Sequence, residues 1–178
     1  AVGSGVFIET APDGVAMTGV ELDREVATVA KTLHQDAEIV PSAFEDFAVR
    51  NEGTRGAGFD VVISNAPFCV RNGASQRIHK SDISSADEYF LDTALDQARP
   101  GGIVAMIVHR GICSSSNRSE FRRKLLARAE LVDAYRLPGE AFSHTHTDVT
   151  SDVLFLRKRD PAVGAALVTV FVSSTPTS

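Results

Sequence analysis

The run Asp60-Val61-Val62-Ile63-Ser64-Asn65-Ala66-Pro67-Phe68 sets an amide, a prolyl turn and an aromatic ring directly after a β-branched stretch. Asp60 to Ile63 suits a central strand, and Pro67 cannot donate to a sheet ladder, so the strand ends here. Asn65–Phe68 therefore sits at a strand's carboxyl end. In an open α/β sheet that edge is where ligands bind, so the amide and the ring mark a candidate site. Other chemistry-bearing residues are less concentrated. His144 and His146 have no further His or Cys at ligand spacing in their loop, so no metal site is expected and polar loop residues are the better reading. His109 ends a strand beside Arg110 with no evident partner. Cys69 and Cys113 stand far apart without CxxC spacing, which argues against a disulfide framework or a zinc site and for a reducing, intracellular setting.

The elements that must position these residues follow from patterning. The chain has 178 residues, 43% hydrophobic and 23% charged, enough for one globular domain with a sizeable core. A net charge of −5 gives no global basic field for nucleic acid, although a local groove can still be positive. Neither a signal peptide nor an apolar run of spanning length is evident, and a cytoplasmic protein without a membrane role is expected.

Gly3-Ser4-Gly5 reads as a glycine turn running into a helix, with the strand that should precede it missing. The expectation is a fragment, or a first strand lying beyond these residues; a sheet lacking a central strand exposes backbone groups and apolar side chains. Val15–Asp23 reads as a strand ending in acidic residues, Arg24–Gln35 as a helix capped by Asp23, and Ala37–Val40 as a second strand. Pro41–Gly58 is expected to be a polar connection, and Phe59–Ser64 the strand carrying the opening motif. Cys69–Ser85 is polar, basic and long, and reads as a mobile loop over a site.

Ser85–Gly102 reads as a helix stopped at Pro100-Gly101-Gly102, and Ile103–Gly111 as a buried strand. Asn117–Ala129 suits an amphipathic helix with Asn117 as cap, Glu130–Pro138 a strand, and Asp148–Asp160 a strand antiparallel to its predecessor. The basic runs Arg122–Lys124 and Arg157–Arg159 read as solvated faces. The alternation predicts an α/β fold, a doubly wound and mostly parallel sheet with one antiparallel strand. Its core is expected over 1–160, with an edge strand or loose tail over 161–178.

Four landmarks stand in order: Gly3-Ser4-Gly5, then Gly19-Val20-Glu21-Leu22-Asp23, then Asn65-Ala66-Pro67-Phe68, then Arg136–Phe142 leading into Asp148–Arg159. With them nearly the whole chain resembles the amino-group DNA methyltransferases that use S-adenosylmethionine to methylate adenine N6. Its texture is nearest the methylase domains of phage- and plasmid-borne helicase-methylase proteins, and more distantly the modification subunits of type I restriction systems. The resemblance implies a Rossmann-like class I methyltransferase sheet of seven strands, here short of its first.

The resemblance also implies roles. Gly3, Ser4 and Gly5 would let the backbone approach the methionine part of S-adenosylmethionine, although a Gly-x-Gly alone is equally a plain helix-opening turn. Glu21, with Leu22 beside it, would accept hydrogen bonds from the ribose hydroxyls; a solvated acidic strand end is the alternative. Phe44 would pack on the cofactor's adenine, with Glu45 or Asp46 near its exocyclic amine.

The Asn65 side-chain oxygen and the Ala66 carbonyl would each accept one hydrogen of the target N6, drawing a delocalised nitrogen toward tetrahedral geometry as the methyl arrives. Phe68, next to Pro67, would stack on a base swung out of the duplex, with Phe142 on its other face or else in the core. Most of the wider family has proline where Ala66 stands. The carbonyl is still present but is less rigidly aimed without the ring's fixed φ. DNA is the implied partner, with further domains or subunits supplying target recognition. Two rivals stay open: methylation of a protein glutamine, whose NH2 suits the same acceptors, and a catalytically silent domain that binds cofactor or DNA.

Overall fold

The computed structural model describes residues 2–51, 58–65, 85–139 and 150–160. Ala66, Pro67, Phe68, Phe142, His144, His146, the stretch 69–84 and the tail 161–178 lie outside the described residues.

The amino-terminal part is built from short pieces. Helix α1 (Val6–Glu9) follows the glycine turn, then come β1 (Thr18–Glu21), α2 (Arg24–Leu33), β2 (Glu38–Pro41) and α3 (Phe44–Arg50). Helix α2 starts where expected because the Asp23 carboxylate accepts from the Glu25 and Val26 amides at 2.8 and 3.1 Å. It buries Ala27 and Ala30 against Ile39 of β2. Helix α3 corrects the expected loop over Pro41–Gly58. Phe44, Phe47 and Ala48 fall at helical spacing, and Phe47 and Ala48 are buried. The glycine-bearing residues after Arg50 masked that short period.

The carboxyl-terminal part comprises β3 (Phe59–Asn65), α4 (Ala86–Gln97), β4 (Ala98–His109), α5 (Gly111–Ser114), a 3-10 turn (Ser116–Arg118), α6 (Ser119–Arg128), β5 (Ala129–Arg136) and β6 (Ser151–Lys158). Its core joins Leu91 and Leu95 of α4 to Val104, Met106 and Val108 of β4, Leu125 of α6 and Leu154 and Leu156 of β6, all buried. Each such side chain contributes about 1.5–3 kcal/mol by leaving water, which makes this the rigid half of the molecule.

Two expected boundaries move. Helix α4 ends at Gln97, before Pro100, and β4 already begins at Ala98; the extra residues Arg99–Gly102 form a bulge between the Phe59↔Ala98 and Val61↔Ile103 pairs. Gly102 is required there, since a Cβ would stand 2.9 Å from the carbonyl oxygens of Arg99 and Phe59. Asn117 does not cap α6. It lies in the 3-10 turn, where its Oδ1 accepts from the Ser115 hydroxyl at 2.7 Å, and Arg118 precedes the helix without a side-chain cap.

The strands pair as β1-β2, parallel, and as β3-β4-β6-β5, in which only β6 is antiparallel to its neighbours. The α/β winding and the single antiparallel strand are those expected, but the one continuous sheet is replaced by two. Among the described residues nothing pairs β1 with β3. No described helix is long and apolar enough to cross a membrane.

Candidate active site

The carboxyl ends of β1 and β3 deliver the two most polar candidates. At the end of β1, one Glu21 carboxylate oxygen accepts the Gly3 amide at 2.8 Å and the other accepts the Asp23 amide at 3.1 Å. Burial pushes this carboxyl up, but the amides of Gly3 and Asp23 that bond it help to hold it below the usual carboxylate range. Glu21 is thus ionised at neutral pH.

The glycine turn is shaped by more than its glycines. Gly3 and Gly5 have φ of +57° and +101°, which side-chain-bearing residues rarely adopt. His34, at the end of α2, donates from Nε2 to the Ser4 carbonyl at 3.0 Å. A Cβ on Gly5 would stand 2.3 Å from that nitrogen. Gly5→Ala therefore costs about 1–2 kcal/mol in backbone strain alone and displaces the imidazole, which thermal unfolding of the variant checks. His34 was not among the expected residues, because thirty positions separate it from Ser4 and no local pattern links them.

Phe44 opens α3 and stacks on Phe90 of α4, with ring centroids 5.1 Å apart and planes inclined by 13°. Tyr89 meets Phe90 edge-on at 5.9 Å. Phe44, Phe90, Val20 and Ser64 line one cleft between β1 and β3. Glu45 follows in the first turn of α3, half-buried, and Leu22 is exposed beside Glu21. The structure thus gathers Gly3, Ser4, Gly5 and Glu21 into one contact network and sets Phe44 on the adjoining cleft. Asn65 is the last residue of β3, exposed, and in register with Ile107 of β4.

Behind β3 and β4, Arg118 bonds the buried Asp87 at 2.8 Å and reaches Glu88 at 3.6 Å. His109 also has a partner, contrary to expectation: its Nδ1 accepts the Gly111 amide at 3.1 Å. Cys113 lies at the surface, where partial desolvation by its neighbours and then the Asp152 carboxylate push its thiol above the ordinary range. The basic runs are committed internally: Arg122 to the Ile112 and Ser115 carbonyls, Arg123 to Glu120, Arg157 to Glu130, and Lys158 to the Ala98 carbonyl. Among the described residues no cluster of three or more His, Cys, Asp or Glu could hold a metal.

Comparison with known proteins gives three results. The family described as N-6 DNA methylase matches residues 13–175. The "Defense against restriction protein B" of Escherichia phage P1 is 35% identical over 175 residues, which is 97% of this chain and 8% of that protein. Among solved structures, a modification subunit of a type I restriction enzyme from Vibrio vulnificus YJ016 superposes with a TM-score of 0.71 at 19% identity, covering 90% of this chain and 40% of that one. The M protein of the type I restriction enzyme EcoKI superposes with a TM-score of 0.62 at 20% identity, covering 82% and 32%. The chain therefore spans less than half the length of each of these proteins. At such identities the structural likenesses establish the fold.

Proposed function

The chain belongs to the N-6 DNA methylase family, and from that premise we propose that it is a catalytic core transferring a methyl group from S-adenosylmethionine to adenine N6 in DNA. The observation that carries the proposal is the ionised Glu21 at the end of β1, fastened to the glycine turn by its bond to Gly3. The residues fit the cofactor. An acidic side chain at the end of β1 is of the type that accepts from ribose hydroxyls, the turn through Ser4 and Gly5 lets a backbone approach closely, and Phe44 offers an aromatic face to a purine.

S-adenosylmethionine supplies an electrophilic methyl group. The work left to the protein is to hold the target amine in line with it and to stabilise the charge that develops there. Asn65 accepts one N6 hydrogen and the Ala66 carbonyl the other; Phe68, following Pro67, stacks on the displaced base, with Phe142 on its far side. Adenine must leave the duplex for this, because its amine is buried in the stack. Target recognition then falls to further domains or subunits.

Isothermal titration of S-adenosylhomocysteine tests the first half. Binding to the chain is expected, weakened about 10–100-fold in Glu21→Ala, the loss that goes with a charge-assisted hydrogen-bond pair. Unchanged affinity in that variant would overturn the assignment of Glu21. Methyl transfer to adenine-containing DNA, set against transfer to a glutamine peptide, tests the second half.

The division of the strands into two sheets favours a second reading, a domain that binds cofactor without turnover. Titratable S-adenosylhomocysteine with no transfer to DNA is the result it expects.

A further inference from the structure

His34 closes a ring of contacts around the glycine turn from the far end of α2. Its own backbone is fastened on both sides: its amide donates to the Ala30 carbonyl at 2.9 Å, and its carbonyl accepts the Ala37 amide at 3.1 Å. The half-buried imidazole is therefore rooted in the α2–β2 junction, and its Nε2 meets the Ser4 carbonyl at 3.0 Å. A carbonyl can only accept, so this nitrogen carries the proton.

The Ser4–Gly5 peptide is thereby held from both ends. A trans peptide points its carbonyl and its amide to opposite sides. Here the carbonyl goes to His34, and the Gly5 amide donates to the Val2 carbonyl at 3.1 Å. Two opposed bonds fix the plane of a peptide that a glycine would otherwise leave free to rotate. The imidazole also lies on the glycine itself, since a Cβ on Gly5 would stand 2.3 and 2.4 Å from Nε2 and Cδ2.

The other half of the turn is tied to β1, through the Val2 amide on the Val20 carbonyl at 2.9 Å and the Gly3 amide on the Glu21 carboxylate at 2.8 Å. Glu21 in turn accepts the Asp23 amide, and Asp23 caps α2. Turn, strand end and helix form one circuit, with His34 as its last link about 15 Å along the helix from the cap.

We infer that His34 is a positioning residue for the cofactor turn, acting through the Ser4 carbonyl to hold the Ser4–Gly5 peptide in the orientation that receives S-adenosylmethionine. This rests on the cofactor reading of the turn and adds to it a residue thirty positions away in sequence. Without the imidazole, the turn has to be ordered at the moment of binding, and that ordering cost appears as lost affinity.

The test is isothermal titration of S-adenosylhomocysteine into the complete 178-residue chain, His34→Ala and His34→Gln, each well below its own Tm. Affinity is expected to fall about 3–10-fold in His34→Ala, the range of one neutral hydrogen bond, and to be largely restored in His34→Gln, whose side-chain amide again offers an N–H. A residue that only stabilised the fold would lower Tm and leave the affinity unchanged. Because Gly5→Ala displaces the imidazole, adding His34→Ala to it should weaken binding by less than about twofold more. Equal affinity of the parent and His34→Ala would overturn the inference and leave the cofactor reading standing, whereas no binding by the parent would overturn both. A loss that His34→Gln leaves unrepaired, and that adds in full to that of Gly5→Ala, would also overturn the inference.

Discussion

On the proposed mechanism, Asn65→Ala is expected to lower methyl transfer to adenine by about 10²–10³-fold while leaving S-adenosylhomocysteine affinity and thermal unfolding close to those of the parent. The magnitude is that of removing one preorganised group aimed at developing charge. The separation of effects follows from position. Asn65 ends β3 and is exposed, so its side chain is not part of the core built by Leu91, Met106 and Leu156. Glu21 and the Gly3–Gly5 turn belong to the neighbouring strand end. Single-turnover kinetics with a saturating methyl donor reads the step directly. A loss of rate matched by a loss of cofactor affinity would remove Asn65 from the chemistry and make it a cofactor residue. Asn65→Asp is informative beside it, since it keeps an acceptor oxygen but brings a full charge to the amine; partial activity is expected.

What could be read in the residues was local. Asp23 as the cap of α2, Glu21 at a strand's end and Asn65 at the end of β3 are each decided within a few positions of sequence, and each stands where the pattern placed it. Long-range contacts were illegible. Nothing near His34 announces the Ser4 carbonyl, and nothing near Phe44 announces Phe90. Helix α3 was missed because a single helical turn of apolar residues is indistinguishable from loop when glycines follow it. The short α5 and the 3-10 turn were missed for a related reason: they exist to reverse the chain between β4 and α6, a tertiary requirement with no period of its own.

Asp87 and Glu88 show the same limit with greater consequence. As acidic residues in the first turn of α4 they look like ordinary partners of a helix dipole, normally exposed. In the structure their side chains are only 4% and 5% exposed, and Arg118, itself 20% exposed, bonds Asp87 and lies beside Glu88. Arg118→Met is accordingly expected to destabilise the fold by about 3–5 kcal/mol, because it leaves the Asp87 carboxylate buried without the cation that bonds it. For a chain of this size that corresponds to a Tm lower by about 10 °C.

The cause can be separated from simple loss of packing, since methionine retains most of the apolar stem. If stranded charge is responsible, adding Asp87→Asn to Arg118→Met recovers a large part of the loss, although Asp87→Asn alone destabilises. Strictly additive losses in that double-mutant cycle would mean that Arg118 acts through its stem and its contacts in the 3-10 turn. The cluster joins the start of α4 to the turn before α6, so its loss should also loosen the face of α4 that presents Phe90 to Phe44. Cofactor affinity in Arg118→Met, measured well below its lowered Tm, should therefore fall with the ion cluster although no member of it touches the cofactor cleft.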